Sequence, residues 1–220
     1  MTDVWAPLML SVWIAAAATG LTAGVGIPLA YVLGRWRVPG RWIVEAVVVL
    51  PLVLPPTVVG YFLLVLLGRR GWFGSHLFRW THGYSPLFRP EAGVLAAAVV
   101  SLPLLYLPVK AAFATVDKDL EDVATVMGAG RLRVFWHVSL PLARTGIVGG
   151  VLLAFGRAVG EFGATTMVMG ATDERQTLPI AIYNRSLDGD LASAAPAVWA
   201  LTAVSLMIVL LCNRPGLLRR

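Results

Sequence analysis

The feature that most constrains this chain is a series of apolar runs, each long enough to cross a bilayer. A membrane-spanning helix needs about 20 predominantly apolar residues in succession. Five runs meet that length, at roughly 8–33, 43–67, 93–114, 145–170 and 192–212. The composition agrees. The chain is 58% hydrophobic and 14% charged, with a mean hydropathy of +0.77, whereas a soluble domain is about a quarter charged. The expected fold is an all-α integral membrane protein with about five transmembrane helices, forming one domain over 1–220. No long soluble segment is left to hold a separate catalytic domain.

Helix breakers lie inside several runs. The first holds Gly20, Gly24, Gly26 and Pro28, so it is expected to tilt or bend. The second holds Pro51, Pro55 and Pro56 and cannot be straight throughout, because proline removes a backbone donor and clashes with the preceding turn. Pro103 and Pro108 carry the same expectation of a break into the third run. Such breaks survive at membrane depth only where protein or a wet cavity surrounds them. Segment 72–88 is too polar to span and reads as an external loop or interfacial helix, with Trp72 and Trp80 suited to the headgroup level. MTDVWAPLML lacks a basic stretch, and the apolar run after it is too long for a signal sequence, so no cleavable leader is expected.

Eighteen basic residues against twelve acids give a net charge of +6. In a membrane protein such an excess reflects topology before it reflects nucleic acid, because cytoplasmic loops are enriched in Lys and Arg. Loops on one side hold Arg35, Arg37, Arg41, Lys118, Arg131, Arg133, Arg144, Arg214, Arg219 and Arg220. Those on the other hold Arg69, Arg70, Arg79, Arg89, Arg175 and Arg185. Ten against six places the N-terminus outside and the C-terminus in the cytoplasm. The single cysteine, Cys212, excludes an intrachain disulfide and a cysteine-built metal site. His76, His82 and His137 share no metal-ligand spacing. The chain has neither a phosphate-binding G-x-x-x-x-G-K-[ST] run nor a nucleophile with a placed base, so no covalent chemistry and no cofactor of its own are expected.

One loop stands apart from the rest. Residues 121–142 read EDVATVMGAGRLRVFWHVSLPL, a short charged stretch between two apolar runs. Asp119 is a candidate N-cap with Asp122 three residues on, and acids there suit the helix dipole. Gly128 and Gly130 let the backbone turn. A second helix should place Leu132, Phe135, Trp136 and Ser139 on one face before Pro141 stops it. The residues leave two readings open: an amphipathic helix pair lying on anionic lipid, or a docking element for a soluble partner.

The pattern Asp122, Val123, Ala124, then Gly128, Val138, Leu140 and Pro141 resembles the E-A-A-x3-G-x9-I-x-L-P loop of ABC importer permeases, with Asp for Glu and Val for the first Ala. That resemblance implies a coupling helix over 117–141 that docks on an ATP-hydrolysing subunit, with Glu121, Asp122, Ala124, Gly128, Arg131, Leu140 and Pro141 as the coupling residues. LPLVLPPTVVGYFLL (50–64), FGRAVGEFGATTMV (155–168), QTLPIAIY (176–183) and RWRVPGRW near the first run resemble the molybdate/tungstate branch of the type I importers. Sulfate permeases are close relatives. The resemblance runs from about 8 to 212, and the extra N-terminal span of some relatives is not expected here. It implies a homodimer with the path near its two-fold axis, two ATP-binding cassette subunits that use the ATP, and an extracytoplasmic oxyanion-binding protein. The location implied is a bacterial or archaeal cytoplasmic membrane, with lipid around the spans.

An ionisable residue inside a span is costly and a functional candidate. Arg157 and Glu161 lie four apart on one helical face and form the only charged pair evident within the spans. They are either structural, holding the helix in its bundle, or part of the substrate path or gate together with Gly160, Phe162, Gly163 and Thr165. Thr165 and Thr166 could offer hydroxyls to an oxyanion or back-bond to their own helix. Glu45 is expected to be solvated or snorkelling near the cytoplasmic face. An intramembrane enzyme would need a better catalytic pair than Arg157 and Glu161, and a passive channel would have no use for the charged loop.

Overall fold

The computed structural model describes residues 4–36, 38–170 and 175–214. Arg37, Arg219 and Arg220, part of the charge count above, lie outside the described residues. The described regular structure is helical throughout: α1 (Trp5–Arg35), α2 (Arg41–Val53), α3 (Pro56–Leu67), α4 (Trp72–Trp80), α5 (Pro90–Thr115), α6 (Lys118–Val126), α7 (Arg131–Val134), a π-helical turn (Phe135–Ser139), α8 (Leu140–Leu142), α9 (Arg144–Val159), α10 (Gly163–Met169), α11 (Leu178–Leu187) and α12 (Leu191–Cys212). By length and hydropathy α1, α5 and α12 can each cross a membrane. The number reaches five if α2 with α3, and 131–142 with α9, each count as one bent span.

The mast of the bundle is α5. Helices α1, α2, α9 and α10 all pack on it, and its Leu105, Tyr106, Val109 and Phe113 are fully buried. Close approach depends on missing side chains, as membrane helices prefer. A Cβ on Gly150 of α9 would lie 3.0 Å from Leu105 O. On Gly60 of α3 it would lie 2.9 Å from Ala164 Cα of α10. These contacts hold α9 against the mast and α3 against α10.

The prolines act unequally. Leu54 and Pro55 each precede a proline, which drives a residue to extended backbone. Both are extended here, with ψ of 142° and 134°, and α3 leaves α2 at a bend of 119°. In α5 the expected break is absent, because Pro103 and Pro108 both sit inside one continuous 26-residue helix. The Thr22 hydroxyl donates to Ala18 O of its own helix at 2.7 Å, and Ser101 Oγ donates to Ala98 O at 3.3 Å. Helices α1 and α9 pack alongside α5 over this stretch, the setting in which membrane helices tolerate proline.

The fourth apolar run also departs from expectation. It is two helices, α9 and α10, separated at Gly160, Glu161 and Phe162. Sixteen residues of α9 rise about 24 Å, short of the ~30 Å hydrocarbon core. Outside the long helices, α4 carries Trp72 and Trp80 exposed, and Arg69 stacks over the Phe78 ring at 5.2 Å.

Candidate functional site

The charged loop between α5 and α9 folds into a helix and an arm. Asp117, not Asp119, caps α6: its Oδ1 accepts the Asp119 N–H at 3.0 Å. Asp119 and Glu121 then fall in the first turn, where acids favour the helix dipole. Gly128 ends the helix with φ +89°, and a Cβ there would meet nothing within 4 Å. The glycine is therefore required by backbone conformation rather than by space within this chain. Ala129 N–H closes the turn on Ala124 O at 3.0 Å.

The arm, 131–142, differs from a simple amphipathic helix. The π-turn at 135–139 bonds Leu140 N–H to Phe135 O, inserting an extra residue per turn and shifting the faces. Phe135 and Ser139 turn inward, while Leu132 and Trp136 stand exposed, so the four do not share a face. Pro141 does not stop the helix. It opens α8, where its missing donor costs little, and the turn comes at Ala143, beyond which α9 departs at 77°. The outward surface joins Val123, Val126 and Met127 of α6 to Leu132 and Trp136 of the arm, all exposed. Beside them Gly128, Gly130, Arg131, Arg133 and His137 border an open depression of about 570 Å³. Asp122 and Pro141 are also exposed, whereas Ala124 and Leu140 are half-buried.

Glu121 faces the other way. Its Oε2 lies 2.7 Å from Arg35 Nη2, and Arg35 Nε donates to Oε1 and Oε2 at 3.2 and 3.1 Å. Ser139 Oγ donates to Oε1 at 2.5 Å, and Arg35 Nη1 to Val116 O at 2.8 Å. The Arg35 side chain is 5% exposed. Around it, the Tyr31 ring packs on Phe135 at 4.8 Å and on Phe113 at 5.2 Å, while Arg131 stacks over Trp36 at 5.5 Å. These contacts tie the last turn of α1 to the arm.

At the α9–α10 break one carboxylate serves both halves. Glu161 Oε2 pairs with Arg157 Nη1 at 2.6 Å, and Oε1 accepts the Ala164 N–H of α10 at 2.7 Å. Glu161 is 1% exposed and Arg157 29%. Gly163 packs on Pro56 and Thr57 of α3, Phe162 stacks on Tyr183 at 4.9 Å, and Gly160 is exposed. Thr165 is buried against Gly93 of α5, and the Thr166 hydroxyl turns back on Phe162 O at 2.7 Å.

A second charged pair joins two of the apolar runs. Lys110 Nζ of α5 lies 2.6 Å from Glu45 Oε1 of α2, with Arg41 at 3.5 Å from the same oxygen. Glu45 is therefore paired rather than simply solvated, and Arg157–Glu161 is not the sole charged pair in the apolar region.

A family model described as "Binding-protein-dependent transport system inner membrane component" matches residues 26–214. The chain belongs to this family. The molybdenum transport system permease protein ModB of Escherichia coli (strain K12) is 42% identical over 209 residues, 93% of this chain and 91% of that one. A probable sulfate transport system permease protein, cysT of Chlorokybus atmophyticus, is 31% identical and covers 92% and 72%. A bacterial ABC transporter involved in alginate import has a chain of the same fold, with TM-score 0.63, 20% identity, and coverage of 93% of this chain and 77% of that one.

Within this permease, sequence reasoning found the arm, the glycine turn and the Arg157–Glu161 pair. It missed Arg35 as the partner of Glu121, since 86 residues separate them and no local spacing encodes the contact. It also passed over Lys110. The signal there was available, because a lone lysine in an apolar run needs a partner, and Glu45 was the acid at hand.

Proposed function

We propose that this permease is the membrane subunit of an ATP-driven importer that moves molybdate across a cytoplasmic membrane. The observation that carries the substrate reading is the 42% identity to a molybdenum permease over nearly the whole chain, against 31% to a sulfate permease. Two copies enclose the path, each with five spans, an outside N-terminus and a cytoplasmic C-terminus. The exposed apolar surface of 117–141, rimmed by Arg131 and Arg133, supports a docking role. Each copy presents it to one of two ATP-binding cassette subunits, which bind and use the ATP. An extracytoplasmic oxyanion-binding protein delivers the substrate. ATP and substrate favour different conformations, and the path alternates between them.

The pairing at Glu161 supports a structural reading for Arg157 and Glu161, with Gly160, Phe162, Gly163 and Thr165 shaping the α9–α10 break near the path. The experiment is stimulated hydrolysis. With the permease and its ATPase subunits in vesicles, molybdate-loaded binding protein added on the extracytoplasmic side should raise ATP turnover. Stimulation by the sulfate-loaded protein alone would make this a sulfate permease. Failure of the permease to hold an ATPase subunit through purification would remove the importer reading.

A further inference from the structure

We propose that Arg35 is the positioning residue through which movement of the coupling arm reaches α1. The proposal rests on the importer reading above, in which an ATPase moves residues 117–141.

The arm has two kinds of connection to the bundle. Along the chain α6 and the arm together join α5 through Val116 and Asp117, and α9 through Ala143. To α1 there is no direct chain connection, so α1 follows either through its packing on α5 and α9 or through direct side-chain contacts with the loop. Arg131 stacks over Trp36, but the ion-paired part of that link is the Arg35 guanidinium. It binds both oxygens of Glu121 on α6, and Ser139 of the arm bonds the same carboxylate. It also donates to Val116 O at the end of α5. Four segments thus meet on Arg35 and its partner.

The electrostatics fix this arrangement. Arg35 stands at the C-terminal ends of α1 and α5, both negative ends of helix dipoles, and Glu121 stands in the first turn of α6, a positive end. Each charge is therefore favoured where it is, in addition to favouring the other. A guanidinium is a rigid planar fork with five donors, while an ammonium is a point charge on a flexible stem. Only the fork reaches Val116 O and both carboxylate oxygens at once. Rigidity matters because a link that slides transmits less displacement. Helix α1 lies along α5 and contacts α9, so motion received at Arg35 is delivered along the centre of the bundle.

The test uses the complete complex with its ATPase subunits in vesicles. Arg35→Lys keeps the charge and loses the fork. Two quantities are read on one preparation: ATP hydrolysed per oxyanion taken up, and the ATP-induced change in distance between spin labels at Leu21 on α1 and Lys118 on α6, both exposed. A lost coupling contact should raise the ATP-to-oxyanion ratio about tenfold, and the label distance should change differently from wild type because α1 no longer follows the arm. A purely structural role would lower hydrolysis and uptake together and leave their ratio unchanged, which would overturn the proposal. If Arg35→Lys does not assemble, Arg35→Met/Glu121→Met removes both charges and is read the same way; normal coupling in that variant would also overturn it. If the wild type moves none of the oxyanions, the functional reading fails, while the label distances with ATP still decide whether Arg35 links the arm to α1.

Discussion

Replacing Arg157 by methionine would strip the charge partner from a carboxylate that is 1% exposed. Removing one member of a buried pair costs about 3–5 kcal/mol, because the other charge remains in a low-dielectric setting. Glu161 Oε1 would keep the Ala164 N–H, so the cap of α10 survives while Oε2 is stranded. Glu161→Met has a different composition of losses. Arg157, 29% exposed, is less enclosed than the carboxylate, but α10 loses its cap, worth about 1 kcal/mol. In Arg157→Met/Glu161→Gln no charge remains, and the new amide oxygen can still accept from Ala164. That variant should recover about 2–4 kcal/mol relative to Arg157→Met, since removing both members of a buried pair is often near neutral. The assay is the fraction of folded complex surviving a heating series in detergent, with oxyanion uptake measured on the same material. A double variant no more stable than Arg157→Met would refute the pairing argument. One that is stable but does not transport would move the pair from the scaffold to the path.

Three other outcomes follow from the geometry. Gly128 sits at φ +89°, so Gly128→Asn should impair ATP-coupled uptake less than Gly128→Val, because Asn tolerates that region and a β-branched residue costs more; equal losses would point instead to steric exclusion from a partner's groove. Gly60→Leu should sharply lower the yield of folded permease, because even a Cβ there falls 2.9 Å from Ala164 Cα and overpacking typically costs about 1–3 kcal/mol; normal yield and uptake would show that α3 and α10 separate freely. Reporter fusions at Thr2 and Leu218 should report opposite sides of the membrane, and agreement between them would mean that the α2–α3 pair enters and leaves on one face.

Much of the fold was legible because membrane helices announce themselves by length and hydropathy. The limits appeared where a neighbour decided the local outcome. Pro55 and Pro56 broke their run as sequence rules require, since two successive residues were forced extended. Pro103 and Pro108 did not: α5 runs as one helix through both, with α1 and α9 packed alongside it. The break at 160–162 contains no proline and is marked locally only by Gly160 and Gly163; it is held by Glu161 reaching back to Arg157 and forward to Ala164. In the arm, helical spacing predicted one face from Leu132 to Ser139, and the π-turn at 135–139 rotated half of it inward. Glu121 was read as a partner contact because it adjoins the family-like motif, yet Arg35 turns it into the bundle.

The central claim is that this permease imports molybdate at the expense of ATP. It is tested most directly by uptake into vesicles holding the complete complex, with labelled molybdate competed by unlabelled molybdate, tungstate or sulfate. ATP-dependent accumulation of molybdate that excess sulfate does not suppress is the predicted result. ATP-dependent accumulation of sulfate without molybdate, or molybdate entry that proceeds equally without ATP, would contradict it.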